Sequence, residues 1–202
     1  MAALQRYNRC LVPQIDLCKP KTIVEVGTWD GGNATKMIKA AQKHNPDIIY
    51  YGFDIFEGIS HENREKELHN KRVISKQDAE NRLTATGATI KLHVGYTTDT
   101  LPVFEPDQPI DFAYIDGGHS LDTVENDWNS VKKHMHENTV VLFDDYYVGE
   151  TSCGCFNLIC ELDESDEYNV EVLFSENVQI PPDAIGVNVP ELNIGIVKVT
   201  KK

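Results

Sequence analysis

The sequence predicts an α/β fold: a doubly wound, seven-stranded, mostly parallel sheet whose last strand runs antiparallel. Two observations carry that prediction. Apolar strand candidates recur along the 202 residues, at 22–27, 48–54, 89–94, 110–116, 139–144, 170–174 and 194–199. Helix-length segments of mixed polarity, at 33–44, 76–86, 120–136 and 153–162, lie between most of them. Strand–helix alternation of this kind builds right-handed parallel crossovers.

The first strand contains Ile23, Val24 and Val26, a run too continuously apolar for a strand with one wet face and suited to burial on both faces. Glu25 interrupts the run near its end, and Gly27 and Gly31 follow in an E-x-G-x-x-x-G spacing that opens the first helix. In dinucleotide folds the corresponding G-x-G-x-x-G lets a pyrophosphate approach the helix N-terminus. Here Trp29 takes the place of the second glycine and Asp30 adds an anion where a pyrophosphate would sit. A ligand with a cationic sulfonium and an amino group is favoured by the same charge, so S-adenosylmethionine fits better than NAD. The competing reading of the spacing is a glycine-rich strand-to-helix turn with no ligand.

The second strand ends in Gly52-Phe53-Asp54, with Asp54 lying 27 positions after Gly27. A carboxylate there hydrogen-bonds ribose hydroxyls in either kind of nucleoside site. A charged insertion at 57–75 precedes the second helix, and a proline-bearing loop at 176–192 joins the last two strands. Both exceed what the scaffold needs and are expected to be lids or recognition elements; a solvated helix is the plainer expectation for the first. With no clear helix between the last two strands, the final strand is expected to enter as an antiparallel edge hairpin. The third helix is opened by Ser120 as N-cap, with Asp122 in its first turn.

The fourth and fifth strands should be neighbours, which would bring Asp116, Asp144 and Asp145 together at the carboxyl edge beside the Gly27–Gly31 turn. Three like charges in one volume repel by about 4 kcal/mol per pair at 4 Å and intermediate dielectric. An all-oxygen cluster of this kind favours a hard divalent cation, Mg²⁺ first, with Mn²⁺ or Ca²⁺ as alternatives. Adjacent strand residues point to opposite faces, so Asp144 and Asp145 need not both be ligands; separate turn-capping roles are the other reading. His119 follows Asp116 by three positions, and imidazole is suited to taking the proton of an attacking hydroxyl near neutral pH. The other six histidines lie outside this motif.

Composition narrows the function classes. A chain of 202 residues with 41% hydrophobic content suits a single domain spanning 1–202. Nineteen basic against 32 acidic residues give a net charge of −13, which disfavours nucleic acid and anionic membranes as partners. No apolar run resembles a signal peptide or reaches membrane-spanning length, so a cytoplasmic location is expected. The five cysteines are odd in number and irregularly spaced, which predicts reduced, packed thiols and not a disulfide framework, and Cys153, Cys155 and Cys160 lack a nearby histidine for a zinc site.

The motifs EVGTWDGGNA, GFDIFEG, GYTTDTLP, IDGGHS and LFDDYY, in this order over residues 20–161, resemble the macrocin-type sugar O-methyltransferases and their wider class I relatives. The resemblance implies a Rossmann-like methyltransferase fold that binds S-adenosylmethionine. It implies that Glu25, Gly27 and Asp54 hold the cofactor, that Asp116, Asp144 and Asp145 surround magnesium, and that His119 is the general base. With the flanking turn and strand-end residues, the candidate cofactor-binding set is Glu25, Gly27, Thr28, Gly31, Asp54 and Asp116. The expected reaction is metal-dependent methyl transfer to a hydroxyl of a small polar acceptor such as a sugar or glycoconjugate, in a protein that could be a homo-oligomer. The N-terminus reads as short, leaving no substrate cap there. Two other classes stay open: a nicotinamide-dependent oxidoreductase, and a non-catalytic module holding a structural cation.

Overall fold

The computed structural model describes residues 2–60, 72–179 and 191–202. Its seven strands are β1 (Thr22–Val26), β2 (Ile49–Asp54), β3 (Thr89–Val94), β4 (Ile110–Ile115), β5 (Met135–Tyr147), β6 (Tyr168–Gln179) and β7 (Glu191–Lys201). They form one sheet in the order β3-β2-β1-β4-β5-β7-β6. The first five are parallel, and β7 pairs antiparallel with both β5 and β6. The antiparallel last strand is thus as expected, but it lies inside the hairpin and β6 takes the edge.

The described helices are α1 (Ala2–Cys18), α2 (Gly32–Ala41), α3 (Lys76–Thr84), the single turn α4 (Thr97–Thr100), α5 (Leu121–Val131) and α6 (Phe156–Glu164). Side chains alternate across the sheet and build two cores. Ile23, Tyr50, Phe112, Tyr114 and Leu142 pack under α1 and α2 with Leu11, Ile15, Met37 and Ile38. Val24, Val26, Phe53, Val141 and Phe143 pack under α5 and α6 with Trp128, Val131, Ile159 and Leu162. All five residues of β1 are buried, as its unbroken apolar run requires.

Several boundaries differ from expectation. The helix at 120–136 ends at Val131 and passes through a 3-10 turn, Lys132–His134, directly into a longer β5. Ser120 holds the N-cap position, but its hydroxyl bonds Thr123 at 2.8 Å instead of a backbone amide. The last hairpin is also longer than read: β6 and β7 pair from Tyr168 with Lys201 to Gln179 with Glu191. Most of the loop expected at 176–192 is therefore strand, and its remainder, 180–190, lies outside the described residues, as does 61–71 of the insertion at 57–75. Among the described residues, Phe56–Gly58 forms one 3-10 turn and 72–75 runs without regular structure into α3.

Helix α1 was not foreseen. Cys10, Leu11 and Ile15 are buried, with α1 packed against α2 and the sheet. Pro13 inside it masks the pattern, because proline argues against a helix interior. No helix among the described residues is long and apolar enough to cross a membrane. All five cysteines are free thiols, with Cys10 and Cys155 buried and Cys160 exposed.

Candidate active site

The parallel strands β1, β2, β3 and β4 deliver their carboxyl ends to one cavity of about 740 Å³. The topological switch, where β1 is flanked by β2 and β4, is where ligands bind in open α/β sheets. Glu25, Gly27, Thr28, Asp54 and Asp116, all expected in the site, line the cavity. Gly31 does not. It adopts φ 71 as the N-cap of α2, and a Cβ there would press on Leu83 at 3.1 Å, so its work is the turn and the helix start.

Gly27 is needed for close approach. Its φ is +91, and a Cβ would meet the Asp116 carbonyl oxygen at 2.0 Å. Its amide donates to the Phe53 carbonyl at 2.9 Å, while the Asp116 amide donates to the Val26 carbonyl at 2.8 Å. Those bonds tie the ends of β1, β2 and β4 together.

Asp54 at the end of β2 accepts from the Trp29 amide through Oδ2 and from the Phe56 amide through Oδ1, each at 2.7 Å. These two bonds fix the Asp54 carboxylate at the cavity edge. Trp29 adopts φ 45 and its indole N–H donates to the Arg72 carbonyl at 2.8 Å, joining the turn to the segment before α3. Asp30 behaves differently from the charge argument made on the sequence. It accepts the Gly32 amide at 2.8 Å and pairs with Arg82 at 2.6 Å, so its charge serves α2 and α3 more than the ligand space. Asp30 still lines the cavity and its charge bears on Glu25, so it opposes a pyrophosphate together with the Trp29 side chain.

Glu25 is buried at 1% exposure. Its Oε2 accepts a short hydrogen bond from the Tyr50 hydroxyl. Burial pushes the Glu25 carboxyl up to about 8, opposed by the Tyr50 bond and reinforced by Asp54 and Asp30. Tyr50 is in turn pushed well up, by its own burial first and then by the Glu25 charge.

The second group of expected residues lies behind the cavity wall. His119 is 3% exposed, and its Nε2 stands 2.7 Å from Asp145 Oδ2. Asp145 Oδ1 accepts from the Tyr147 hydroxyl at 2.8 Å. Asp145 adopts φ 54, an unusual conformation for a non-glycine, at a register shift between Phe143 and Tyr146. That irregularity turns Asp145 toward His119, while Asp144 faces the other way. Asp144 is 2% exposed and accepts from the Tyr114 hydroxyl at 2.9 Å and the Asp145 amide at 2.8 Å.

Asp116, Asp144 and Asp145 do share the lining of a small recess of about 10 Å³. Their oxygen donors are of the right chemistry for a hard cation. Their arrangement is not: both oxygens of Asp144 and of Asp145 face protein partners, and among the described residues no three His, Cys, Asp or Glu side chains are placed to hold one ion.

The sequence reading missed Tyr50, whose YYG context looked like ordinary strand, and Tyr7 of α1, which also lines the cavity. Lys36, one helical turn into α2, was legible only in hindsight, as the residue four after Gly32 on the cavity side.

This strand order, with acidic ends of β1 and β2 over one cavity, is the Rossmann-like architecture of class I methyltransferases. Residues 24–146 match the methyltransferase-domain family, and the chain belongs to that family. No curated protein matches it by sequence. Among solved structures, the O-methyltransferase TomG from Streptomyces achromogenes, involved in tomaymycin synthesis and solved with S-adenosylmethionine, aligns at 15% identity and a TM-score of 0.67, covering 100% of this chain and 81% of that one. The Bacillus cereus O-methyltransferase in complex with S-adenosylhomocysteine aligns at 14% and 0.64, covering 98% and 81%. A Podospora anserina methyltransferase bound to S-adenosylhomocysteine aligns at 15% and 0.60, covering 95% and 76%. Identities this low establish a shared fold.

Proposed function

We infer that the protein transfers a methyl group from S-adenosylmethionine to a hydroxyl of a small polar acceptor, with a sugar or glycoconjugate as the expected class. The observation that carries this reading is the cavity at the β1–β2–β4 carboxyl edge, where Glu25 near the end of β1 and Asp54 at the end of β2 both line the space beside the Gly27–Gly31 turn. Asp54 brings a carboxylate to the cavity lining, the group type that accepts from ribose hydroxyls, and Glu25 brings a buried carboxyl for the cationic methionyl end. Apolar Ile55, Phe56, Val73 and Ile74 supply walls for a flat base. The chemistry asked of the protein is alignment of oxygen, carbon and sulfur in line, together with removal of the hydroxyl proton.

His119 is the proposed base. Its support is the Asp145 carboxylate 2.7 Å from Nε2, which positions the ring, and its place next to Gly118, which lines the cavity. Because the ring is buried, the acceptor must uncover it on binding. Magnesium dependence has the support of donor chemistry alone, three carboxylates around one recess. A radiolabelled methyl assay on a panel of free and conjugated sugars tests the reaction, and repeating it in excess EDTA with and without added Mg²⁺ tests the cation. No label on any hydroxyl acceptor would contradict the reading, and full turnover in EDTA would remove the metal from it.

A further inference from the structure

Glu25 is held by a neighbour that does not itself touch the cavity. Tyr50 is fully buried, and its hydroxyl both donates to Glu25 Oε2 and lies 3.1 Å from Thr28 Oγ1. With the Tyr50 proton committed to the carboxylate, Thr28 is the donor in the second bond, giving a relay from Thr28 through Tyr50 to Glu25. Both ends of the relay line the cavity.

Strand register explains how Tyr50 reaches so far. Tyr50 pairs with Ile23 and Gly52 pairs with Glu25, so tyrosine and glycine share a face two residues apart. A Cβ on Gly52 would stand 2.4 Å from Thr28 Oγ1 and 2.8 Å from Tyr50 Cε1. Glycine at 52 therefore leaves the space through which the phenol crosses to the neighbouring strand.

We propose that Tyr50 is a positioning residue of the donor site: through the Thr28–Tyr50–Glu25 relay it holds the Glu25 carboxylate toward the cationic methionyl end of S-adenosylmethionine, and donor binding releases a proton. The proposal rests on the S-adenosylmethionine reading above. In the empty protein near pH 7, burial keeps Glu25 mostly protonated, its carboxyl having been pushed up to about 8. Only the ionised form complements a cation, so the cation must displace the proton. The other titratable groups around Glu25 are Asp54 from β2, Asp30 from the turn, and, across β4, its register partner Tyr114 with Asp144, and Asp116 at the strand end. All the carboxylates among them oppose ionisation of Glu25, whereas the Tyr50 bond favours it.

The test is isothermal calorimetry of S-adenosylmethionine binding from pH 6 to 9 on the wild type and Tyr50→Phe. For the wild type, affinity should rise about tenfold per pH unit on the acidic limb and level off near the Glu25 titration, as one-proton linkage requires. In Tyr50→Phe affinity should fall below the wild type at pH 6 and 7 and converge on it toward pH 9, where Glu25 becomes ionised in both proteins. The donor's own amine titrates around 7.7–8.0 and lowers the affinity of both proteins alike on the alkaline side, so the ratio of the two affinities reports Glu25. Wild-type titrations at pH 7 in two buffers of different ionisation enthalpy should show close to one proton released, a readout that stands even if Tyr50→Phe does not fold. A flat acidic limb, no proton release, or a loss in Tyr50→Phe of the same size from pH 6 to 9 would overturn the proposal. No binding by the wild type at any pH would overturn the donor reading along with it.

Discussion

A Cβ on Gly27 would stand 2.0 Å from the carbonyl oxygen of Asp116, so the turn after β1 and the end of β4 meet backbone to backbone. This contact brings Glu25 and Asp116, contributed by strands far apart in the chain, to one cavity. Gly27→Ala adds both a clash and a strained φ of +91, the latter alone costing about 1–3 kcal/mol. The variant is expected to melt well below the wild type and to show no stabilisation by S-adenosylmethionine in a thermal shift assay. A wild-type melting curve would mean that β4 stands off from the turn.

Asp54→Ala removes the acceptor of the Trp29 and Phe56 amides as well as the expected ribose contact. S-adenosylmethionine affinity should fall by about 1.5–3 kcal/mol, the range for hydrogen bonds to a charged group. The two amides left without their acceptor should also lower the melting temperature. Calorimetry checks the first effect, and an unchanged dissociation constant would take Asp54 out of the site.

How far the sequence could be read shows in these two residues. Gly27 and Asp54 were legible because their roles are set by local spacing at strand ends, where glycine and acid have positional meaning. Tyr50 was not legible, since nothing in YYGFD says that one tyrosine reaches across to Glu25 while Tyr51 faces the opposite core. Helix α1 was hidden by Pro13. The carboxylate cluster was inferred correctly in position, at two adjacent strand ends, but the bulge that turns Asp145 to His119 depends on a φ of 54 that no residue type announces. The pairing of Asp30 with Arg82 was not legible either, because the two lie 52 residues apart.

His119→Ala should lower kcat by about 10²–10⁴-fold, the usual contribution of a positioned base, with S-adenosylmethionine affinity nearly unchanged. Asp145→Asn should act in the same direction, because it replaces the carboxylate that stands 2.7 Å from Nε2 and positions the ring. Single-turnover kinetics with saturating donor separate this chemistry from binding. Wild-type turnover in both variants would reduce the pair to a structural contact.

Glu25 also predicts a pH dependence of stability. Its folded carboxyl is raised to about 8, above the ordinary value of 4.5, so between those limits the folded state holds a proton that the unfolded state has lost. Stability from this group therefore falls as pH rises, by roughly 1.4 kcal/mol per unit through that window, and is level on either side. Urea denaturation at pH 5 and pH 8 should show Glu25→Gln gaining on the wild type at the higher pH. Parallel profiles for the two proteins would mean that Glu25 is already ionised when folded.

The most direct measurement of the central claim is thermal melting of the wild type with S-adenosylmethionine, S-adenosylhomocysteine and NAD in parallel. A ligand bound only by the native state raises stability by about 2.7 kcal/mol at a hundred times its dissociation constant. The account predicts a rise with both adenosyl ligands, none with NAD, and a smaller rise in Asp54→Ala at the same ligand concentrations. Stabilisation by NAD alone, or by none of the three, would contradict it.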